Sequence, residues 1–318
     1  MIRERIEERH GGHDRRCLLF LPDKAPARNL LLVLHGCGGT ASWMAVETAM
    51  EAQAAAAGIV LAFPEATRAD MGRPSHFLNN PPCWDDGAER PRPKPAPASD
   101  DAAWLCGLAD RLRNRFGIDR LPVLAGFSNG AGMIAAVIVH GGERFGGAAF
   151  VCGYPRRPPA GKIHPVRSLF LMGAVDPLVP WEGGRAVLPW HPDPIAVPPM
   201  TERIGQWATA SGAGEARPSC RQHSDWEEWT HAGPESESMV TVRRIARLGK
   251  RIDGDINLPA PRMRVGYARG EVGAGEVETG EVSRIGLVAK AEIDGIGAGV
   301  DRVAKRSQSA GGSDQFHD

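Results

Sequence analysis

Short apolar runs alternate along this chain with segments whose apolar residues recur at helical spacing. The runs predict strands, because a continuous apolar stretch is typical of a strand that is buried on both faces of a sheet. The strands predicted in this way are Cys17–Pro22, Leu30–His35, Ile59–Phe63, Pro122–Ala125, Gly147–Val151 and Arg167–Met172. Met239–Ala246 alternates between apolar and polar residues, which predicts a last, half-exposed strand. The predicted helices are Ala41–Ala57, Asp100–Phe116, Ala131–His140 and Thr201–Ser211. This alternation predicts an α/β fold, with a mostly parallel sheet covered by helices on both faces.

The composition changes beyond about residue 258. Glycine, glutamate, valine and arginine dominate there, and no amphipathic pattern is present that would bury much surface. The sequence therefore predicts a folded domain over 1–258 and a low-complexity, poorly ordered tail over 259–318. A frameshifted or degenerate end from residue 247 onward is the alternative origin of this segment.

The overall charge of the chain excludes some classes of partner. Lysine plus arginine and aspartate plus glutamate number 38 each among 318 residues, so there is no electrostatic signature of a nucleic-acid or anionic-membrane partner. No apolar run is long enough to cross a bilayer. The charged segment Met1–His10 lacks the apolar core of a signal peptide. We therefore expect a cytoplasmic protein, and the oligomeric state stays open.

The stretch Leu121–Gly132 combines a predicted strand, a sharp turn and a predicted helix, with Ser128 at the apex of the turn. The turn has the sequence GFSNG, which is the G-x-S-x-G pattern of a nucleophile elbow. In such a turn the glycines let the strand and helix backbones approach closely, and the serine Oγ is exposed above the sheet. Ser128 is therefore predicted to be a nucleophile. The alternative is that it only caps the helix.

An acyl-transfer hydrolase also needs donors for the oxyanion and an acid that orients its base. The backbone N–H of Asn129, directly after the nucleophile, is one predicted donor. The HGCG loop after the strand Leu30–His35 predicts the second, the N–H of Cys37. Asp176 follows the strand after the elbow and is predicted to be the orienting acid. The alternatives are an ordinary strand–helix turn around Cys37 and a turn aspartate before Pro177.

Several motifs occur in order over about residues 15–250: LVLHGCGGTA, FPEATR, CWDDG, LAGFSNGAGM and GAVDPLVPWEGG. Together they resemble the poly(3-hydroxybutyrate) depolymerase and feruloyl-esterase-like branch of the α/β-hydrolases. The resemblance implies the α/β-hydrolase fold and a serine carboxylic-ester hydrolase without cofactor or metal, acting on a small or polymeric ester. It marks Ser128 and Asp176 as two members of a catalytic triad. It also implies a disulfide between Cys37 and Cys83, and it leaves export open, because proteins of this branch are often exported.

One position departs from the pattern of that family. Its members carry the triad histidine after the last strand, in a stretch resembling G-G-H-x-W-P-G, whereas this chain has Lys250 there. A lysine is a base only when it is neutral, which requires burial or a cationic neighbour. His231, which precedes the last predicted strand, is the other weak candidate for the base. The alternative function is therefore a catalytically impaired or inactive family member that acts as a binding or vestigial protein.

The substrate is expected over the carboxyl edge of the sheet, between two long stretches without periodicity, 64–99 and 182–200. Long loops of this kind often form binding sites. Trp84 and Trp181 lie in or beside these loops, and we expect them to form apolar walls of the site or, alternatively, to lie in the core. The identity of the ester stays open, because loop geometry sets it.

Overall fold

The computed structural model describes residues 1–23, 26–89, 94–191, 193–214, 219–233, 239–253 and 262–267. The helices are α1 (Ala41–Thr48), α2 (Glu51–Ala57), α3 (Asp101–Phe116), α4 (Asn129–Gly141) and α5 (Met200–Ala210). The strands are β1 (Ile2–His10), β2 (His13–Leu21), β3 (Asn29–Leu34), β4 (Ile59–Glu65), β5 (Val123–Phe127), β6 (Gly147–Val151), β7 (Arg167–Gly173), β8 (Gly184–Ala186), β9 (Ile195–Val197), β10 (Ser219–Gln222), β11 (Trp226–Ala232), β12 (Met239–Ile245), β13 (Leu248–Asp253) and β14 (Arg262–Tyr267).

Ten strands of the described ranges form one sheet in the order β1-β2-β4-β3-β5-β6-β7-β12-β11-β10. The six strands from β4 to β12 in this order are parallel, and antiparallel strands extend the sheet at both sides. This confirms the predicted mostly parallel α/β architecture. The carboxyl ends of the six parallel strands share one edge, which we call the carboxyl edge, and ligands bind at this edge in open α/β sheets.

The side chains of β3 alternate between two cores, one on each face of the sheet. Leu30, Leu32 and Leu34 join the core beneath α3, α4 and α5, whereas Leu31 and Val33 join the core beneath α1 and α2. All five side chains are at most 2% exposed. Burial on both faces explains why this strand is apolar at every position from Leu30 to Leu34. Helices cover both faces of the sheet, as predicted.

The helix predicted over Ala41–Ala57 is two helices, α1 and α2, and that prediction is corrected here. Ala49, between them, has a φ of +46°, which a right-handed helix excludes, and its N–H donates to the Ala45 carbonyl. The Thr48 hydroxyl donates to the Met44 carbonyl at 2.8 Å and competes with the helical hydrogen bonds. None of the helices in the described part of the chain is long and apolar enough to cross a membrane.

Elements at the two sides of the sheet were not predicted from the sequence pattern. β1 forms a hairpin with β2, and β10 and β11 continue the sheet beyond β12. β13 and β14 form a separate hairpin, and β14 lies within the segment predicted to be a tail. The rest of that segment, 268–318, and the predicted boundary at residue 258 lie outside the described residues. The two-part division of the chain therefore stays a prediction.

Candidate active site

Three of the predicted site residues follow strands that end at the carboxyl edge. Cys37 follows β3, Ser128 follows β5 and Asp176 follows β7, and these strands end within three residues of one another in the sheet register. Two strand spacings separate β5 from β7, which is about 10 Å across the sheet. The fold thus collects on one edge groups that are far apart in the chain.

Ser128 occupies a strained turn between β5 and α4. Its φ of +55° and ψ of −112° define a backbone conformation that residues other than glycine rarely adopt. A Cβ on Gly126 would lie 2.5 Å from the Gly130 carbonyl oxygen, and a Cβ on Gly130 would lie 2.5 Å from the Leu34 carbonyl oxygen. A Cβ on Gly153 would clash with the Ser128 carbonyl oxygen. The strand–turn–helix geometry is therefore the one that the GFSNG pattern predicts, and only glycines permit its close approaches.

The loop after β3, residues 36–39, lies directly against this turn, and we call it the oxyanion loop. A Cβ on Gly36 would be 3.3 Å from Ser128 Cβ. Gly38 has a φ of +80°, and its N–H donates to the Pro82 carbonyl at 2.8 Å. The Cys37 segment and Asn129 therefore both lie next to Ser128, and their roles as oxyanion donors stay predictions.

His35 holds the base of the oxyanion loop. Its Nδ1 lies 2.7 Å from the Gly36 carbonyl oxygen and its Nε2 accepts a hydrogen bond from the Ala66 N–H at 3.1 Å. These contacts fix the tautomer, with the proton on Nδ1. The ring is fully buried, and burial lowers the pKa of His35, although the hydrogen bond to Gly36 partly opposes this. His35 is therefore a neutral, fully engaged residue rather than a base.

The motif CWDD, Cys83–Asp86, connects the elbow to the oxyanion loop, which the sequence did not predict. Asn129 Oδ1 accepts a hydrogen bond from the Trp84 N–H at 2.8 Å, and Asn129 Nδ2 donates to Asp86 Oδ2 at 2.8 Å. The Trp84 indole Nε1 donates to the His35 carbonyl at 2.8 Å. Two features of the sequence could have indicated this network: an asparagine directly after Ser128, and a tryptophan within the polar motif CWDD.

Asp176 lies in a tight turn after β7. Its Oδ1 accepts hydrogen bonds from the N–H groups of Leu178 and Val179 at 2.9 and 3.0 Å, and the residue is 2% exposed. Two backbone donors on one oxygen fix the orientation of the carboxylate. The turn thus presents a buried, oriented carboxyl group, as an orienting acid requires.

The chain returns to Asp176 directly after the last parallel strand, β12. The Val175 N–H donates to the Leu248 carbonyl at 3.3 Å, and Leu248 is fully buried. A Cβ on Gly249 would lie 2.7 Å from the Val175 carbonyl oxygen and 3.3 Å from Asp176 Cα. Lys250 is the next residue, so its backbone follows the segment that packs on the acid turn. The Lys250 side chain lies outside the described parts of the structure.

His231 is not brought to the carboxyl edge. It pairs with Val240 on β12, which pairs with Ser168 near the start of β7. From Val240 to the end of β12 at Ile245 is about 17 Å at the rise of a strand. Burial lowers the pKa of the His231 imidazole, but the residue lies at the opposite end of the sheet from Ser128. His231 is therefore too far from Ser128 to accept its proton.

Trp84 and Trp181, for which the sequence left open the walls of the site or the core, belong to the core, at 0% and 6% exposed. A different aromatic pair, Phe77 and Trp190, lies on the oxyanion loop. The Trp190 Nε1 donates to the Phe77 carbonyl at 2.5 Å, and the centroids of the two rings are 5.1 Å apart. A Cβ on Gly38 would lie 2.6 Å from Phe77 Cδ2 and 3.6 Å from Trp190 Cζ2. The predicted loops 64–99 and 182–200 therefore do meet beside the site.

The two cysteines of the implied disulfide lie in neighbouring segments. Both Cys37 and Cys83 are buried, and the Gly38–Pro82 hydrogen bond joins the residues next to them. Cys83 Sγ lies 3.5 Å from Asn129 Oδ1. The Cys37–Cys83 pairing stays a prediction.

By sequence, the chain is similar to NocK of Nocardia uniformis subsp. tsuyamanensis, which is named as a candidate esterase. The two are 30% identical over 218 residues, a match that covers 65% of this chain and 59% of NocK. The chain thus spans about three fifths of the length of this curated relative. No family model matches the chain. The similarity supports a relationship to esterases and not the narrower depolymerase and feruloyl-esterase-like branch.

By structure, the chain is similar to the acetyl xylan esterase of Aspergillus awamori, with a TM-score of 0.52 at 12% identity over 77% of this chain and 93% of that one. The carboxylesterase of Bacillus cereus has a TM-score of 0.47 at 15% identity, over 87% of this chain and 94% of that one. The first of these likenesses shows the fold, which is the predicted α/β-hydrolase fold.

Proposed function

We propose that the protein is a serine carboxylic-ester hydrolase that forms an acyl-enzyme on Ser128. The observation that carries the proposal is the strained turn, which holds Ser128 against the oxyanion loop and at the same carboxyl edge as Asp176. A candidate nucleophile, candidate oxyanion donors and an oriented acid occur together in this arrangement, and acyl transfer needs these three groups in addition to a base. The sequence similarity to NocK is consistent with it.

In the proposed reaction, Ser128 Oγ attacks the ester carbonyl carbon and its proton passes to a base. The negative charge on the carbonyl oxygen is stabilised by the N–H groups of Cys37 and Asn129. The intermediate then expels the alcohol, which takes the proton from the base, and an acyl group remains on Ser128. Water attacks this acyl group and gives a proton to the base. That proton returns to Ser128 as the carboxylic acid leaves.

For the base we propose Lys250, in preference to His231. The support is the backbone path, because Gly249 packs on Asp176 and Lys250 comes next. A lysine accepts a proton only when neutral, and a carboxylate nearby favours its charged form. We therefore expect slow turnover at neutral pH that keeps rising through the alkaline range, whereas a histidine base would level off above its ordinary titration range.

For the substrate we propose esters of hydroxy acids, or of aromatic or acetyl groups on polysaccharides. The support is the aromatic pair that packs on Gly38 of the oxyanion loop, in which Phe77 is buried and Trp190 is partly exposed. Aromatic rings beside the oxyanion donors favour an apolar or planar group next to the scissile carbonyl. The fold shared with an acetyl xylan esterase is compatible with this substrate class.

A second candidate function is a family member with little or no catalysis that binds esters or is vestigial. The observation that favours it is Lys250 at the position where the resembling family has its triad histidine. A serine without an effective base forms an acyl-enzyme orders of magnitude more slowly.

The test is a fluorophosphonate label together with turnover of p-nitrophenyl butyrate, measured from neutral to alkaline pH. We expect labelling and turnover in the wild type and neither in Ser128→Ala. Lys250→Met is expected to lower turnover by about 100-fold or more, the usual contribution of a general base, and His231→Ala to leave it unchanged. A wild type that matches Ser128→Ala in both measurements overturns the hydrolase and leaves the second candidate.

A further inference from the structure

The CWDD motif, Cys83–Asp86, has no part in the chemistry described above. We propose that Trp84 of this motif is a positioning residue that sets the spacing between the two oxyanion donors, the N–H groups of Cys37 and Asn129. The inference rests on the proposed function, because it concerns how that site holds its donors. It is carried by hydrogen bonds that Trp84 makes to both donor-bearing segments.

On one side, Trp84 is fixed to the elbow by the side chain of Asn129. Asn129 Oδ1 accepts from the Trp84 N–H at 2.8 Å, and Nδ2 donates to the Trp84 carbonyl at 3.2 Å. The same Nδ2 donates to Asp86 Oδ2 at 2.8 Å. An amide that pairs with both backbone groups of one residue fixes its position and its orientation. Since Asn129 is the first residue of α4, Trp84 and the elbow keep a fixed relation.

On the other side, Trp84 is fixed to the oxyanion loop. Its indole Nε1 donates to the His35 carbonyl at 2.8 Å, and the ring centroids of Trp84 and His35 are 5.2 Å apart. His35 is two residues before Cys37, and its own ring binds the Gly36 carbonyl and the Ala66 N–H. The indole therefore holds the end of β3 from which the loop begins.

The motif is in turn fixed to the scaffold of the domain. Asp101 Oδ2 on α3 accepts from the Asp85 N–H at 2.8 Å, and Asp101 Oδ1 pairs with Arg15 of β2 at 2.5 Å. Both charged side chains are fully buried, where water screens them little. Trp104 stacks on Trp84 with centroids 6.4 Å apart. The motif is thus a rigid spacer between the core and the two donor segments.

Positioning of this kind affects the transition state more than the bound ester. Removing one oxyanion donor outright costs about 100- to 1,000-fold in kcat, and a displaced donor costs a part of that. We therefore expect the loss of the Trp84–His35 hydrogen bond to lower kcat about tenfold and to leave KM within about twofold.

The test compares Trp84→Phe with a matched control, Trp207→Phe. Trp207, in α5, is also fully buried, and its Nε1 donates to Ser168 Oγ of β7 at 3.0 Å, away from the oxyanion loop. Each variant loses one buried indole hydrogen bond, so both are expected to lose similar stability. The measurements are kcat and KM on p-nitrophenyl butyrate, and the inhibition constant of phenylboronic acid, which forms a tetrahedral adduct with a nucleophilic serine.

We expect Trp84→Phe to lower kcat about tenfold and to weaken boronate binding in proportion, with Trp207→Phe close to the wild type in both. Equal kcat in the two variants overturns the positioning role, while Ser128-dependent turnover of the wild type still sustains the proposed function. If Trp84→Phe fails to fold, Asn129→Ala gives the same readouts, because it removes the contacts on the elbow side and keeps the backbone N–H. A wild type without Ser128-dependent turnover overturns the proposed function and the positioning role together.

Discussion

His35 shows how a single histidine beside a serine can serve the structure and not the proton transfer. Its Nδ1–H is held by the Gly36 carbonyl and its Nε2 by the Ala66 N–H. Protonation of Nε2 would turn this acceptor into a donor and place two N–H groups face to face. The neutral form of His35 is therefore part of the folded state of the oxyanion loop.

This leads to a prediction about stability at acid pH. Burial holds the pKa of His35 below its ordinary value of 6.5, so below about pH 6.5 the unfolded chain binds a proton there that the folded chain does not. The free energy of unfolding is therefore expected to fall as the pH drops below 6.5, by up to about 1.4 kcal/mol per pH unit from this residue. Urea unfolding between pH 7.5 and 5.5 measures the slope.

His35→Gln is the control for that slope, since glutamine keeps polar groups in the site without titrating. The variant is expected to be less stable at pH 7.5 but to depend less steeply on pH. The same slope in both proteins would contradict the assignment to His35 and leave His231, whose pKa is also lowered by burial, as the source.

At the scale of elements, the nucleophile turn depends on how closely α4 approaches β3. Gly130 in the first turn of α4 lies against the carbonyl groups of Leu34 and His35, so that an added Cβ would be 2.5 and 2.6 Å from their oxygens. Both neighbours are backbone atoms and have no side-chain rotation to relieve the contact. The spacing between strand, turn and helix is therefore set by the absence of a side chain.

We predict that Gly130→Ala destabilises the protein by about 2–4 kcal/mol, because a clash with fixed backbone forces the helix away from the strand. Gly205→Ala is the matched control, since Gly205 is also inside a helix, α5, but nothing lies within 4 Å of an added Cβ. That control is expected to gain about 0.5–1 kcal/mol from helix propensity. Urea unfolding measures the stability of both variants. Equal changes in the free energy of unfolding would show that helix propensity, rather than the contact with β3, determines the effect of Gly130→Ala.

At the scale of the whole molecule, the segment after the last parallel strand, β12, contributes Leu248 to the core beneath α1 and α2. Leu248 is fully buried with residues of β2, β3, β4 and α1, and its carbonyl accepts the Val175 N–H beside Asp176. Residues up to Gly249 thus pack as an integral part of the domain.

We predict that Leu248→Ala costs about 2–4 kcal/mol of unfolding free energy, the range for truncating a buried leucine. Fluorophosphonate labelling of Ser128 is also expected to slow, because the Asp176 turn loses its support. Leu121→Ala, at a leucine that is 36% exposed, is the control and is expected to change stability by about 0.5 kcal/mol or less. A Leu248→Ala protein as stable as the control would place Leu248 outside the cooperative core.

Much of the fold and part of the site were predictable because their signals are local. A strand buried on both faces is apolar throughout, as Leu30–Leu34 is, and a nucleophile turn needs glycines at fixed offsets, as around Ser128. The mostly parallel pairing of the strands followed from the alternation of strands and helices. The helix break at Ala49 and the edge strands were not predicted, because helix capping and the pairing of half-exposed strands leave only a weak pattern of apolar and polar residues in the sequence.

The sequence by itself thus determined the α/β-hydrolase fold, the turn at Ser128 and the strands after which Cys37 and Asp176 lie. Only the tertiary structure decided that Trp84 is a core residue joining two donor segments and that Phe77 and Trp190 flank the oxyanion loop. It also separated His231 from the carboxyl edge. The physical reason is that these contacts join residues far apart in the chain, and their partners are selected by packing rather than by any local pattern.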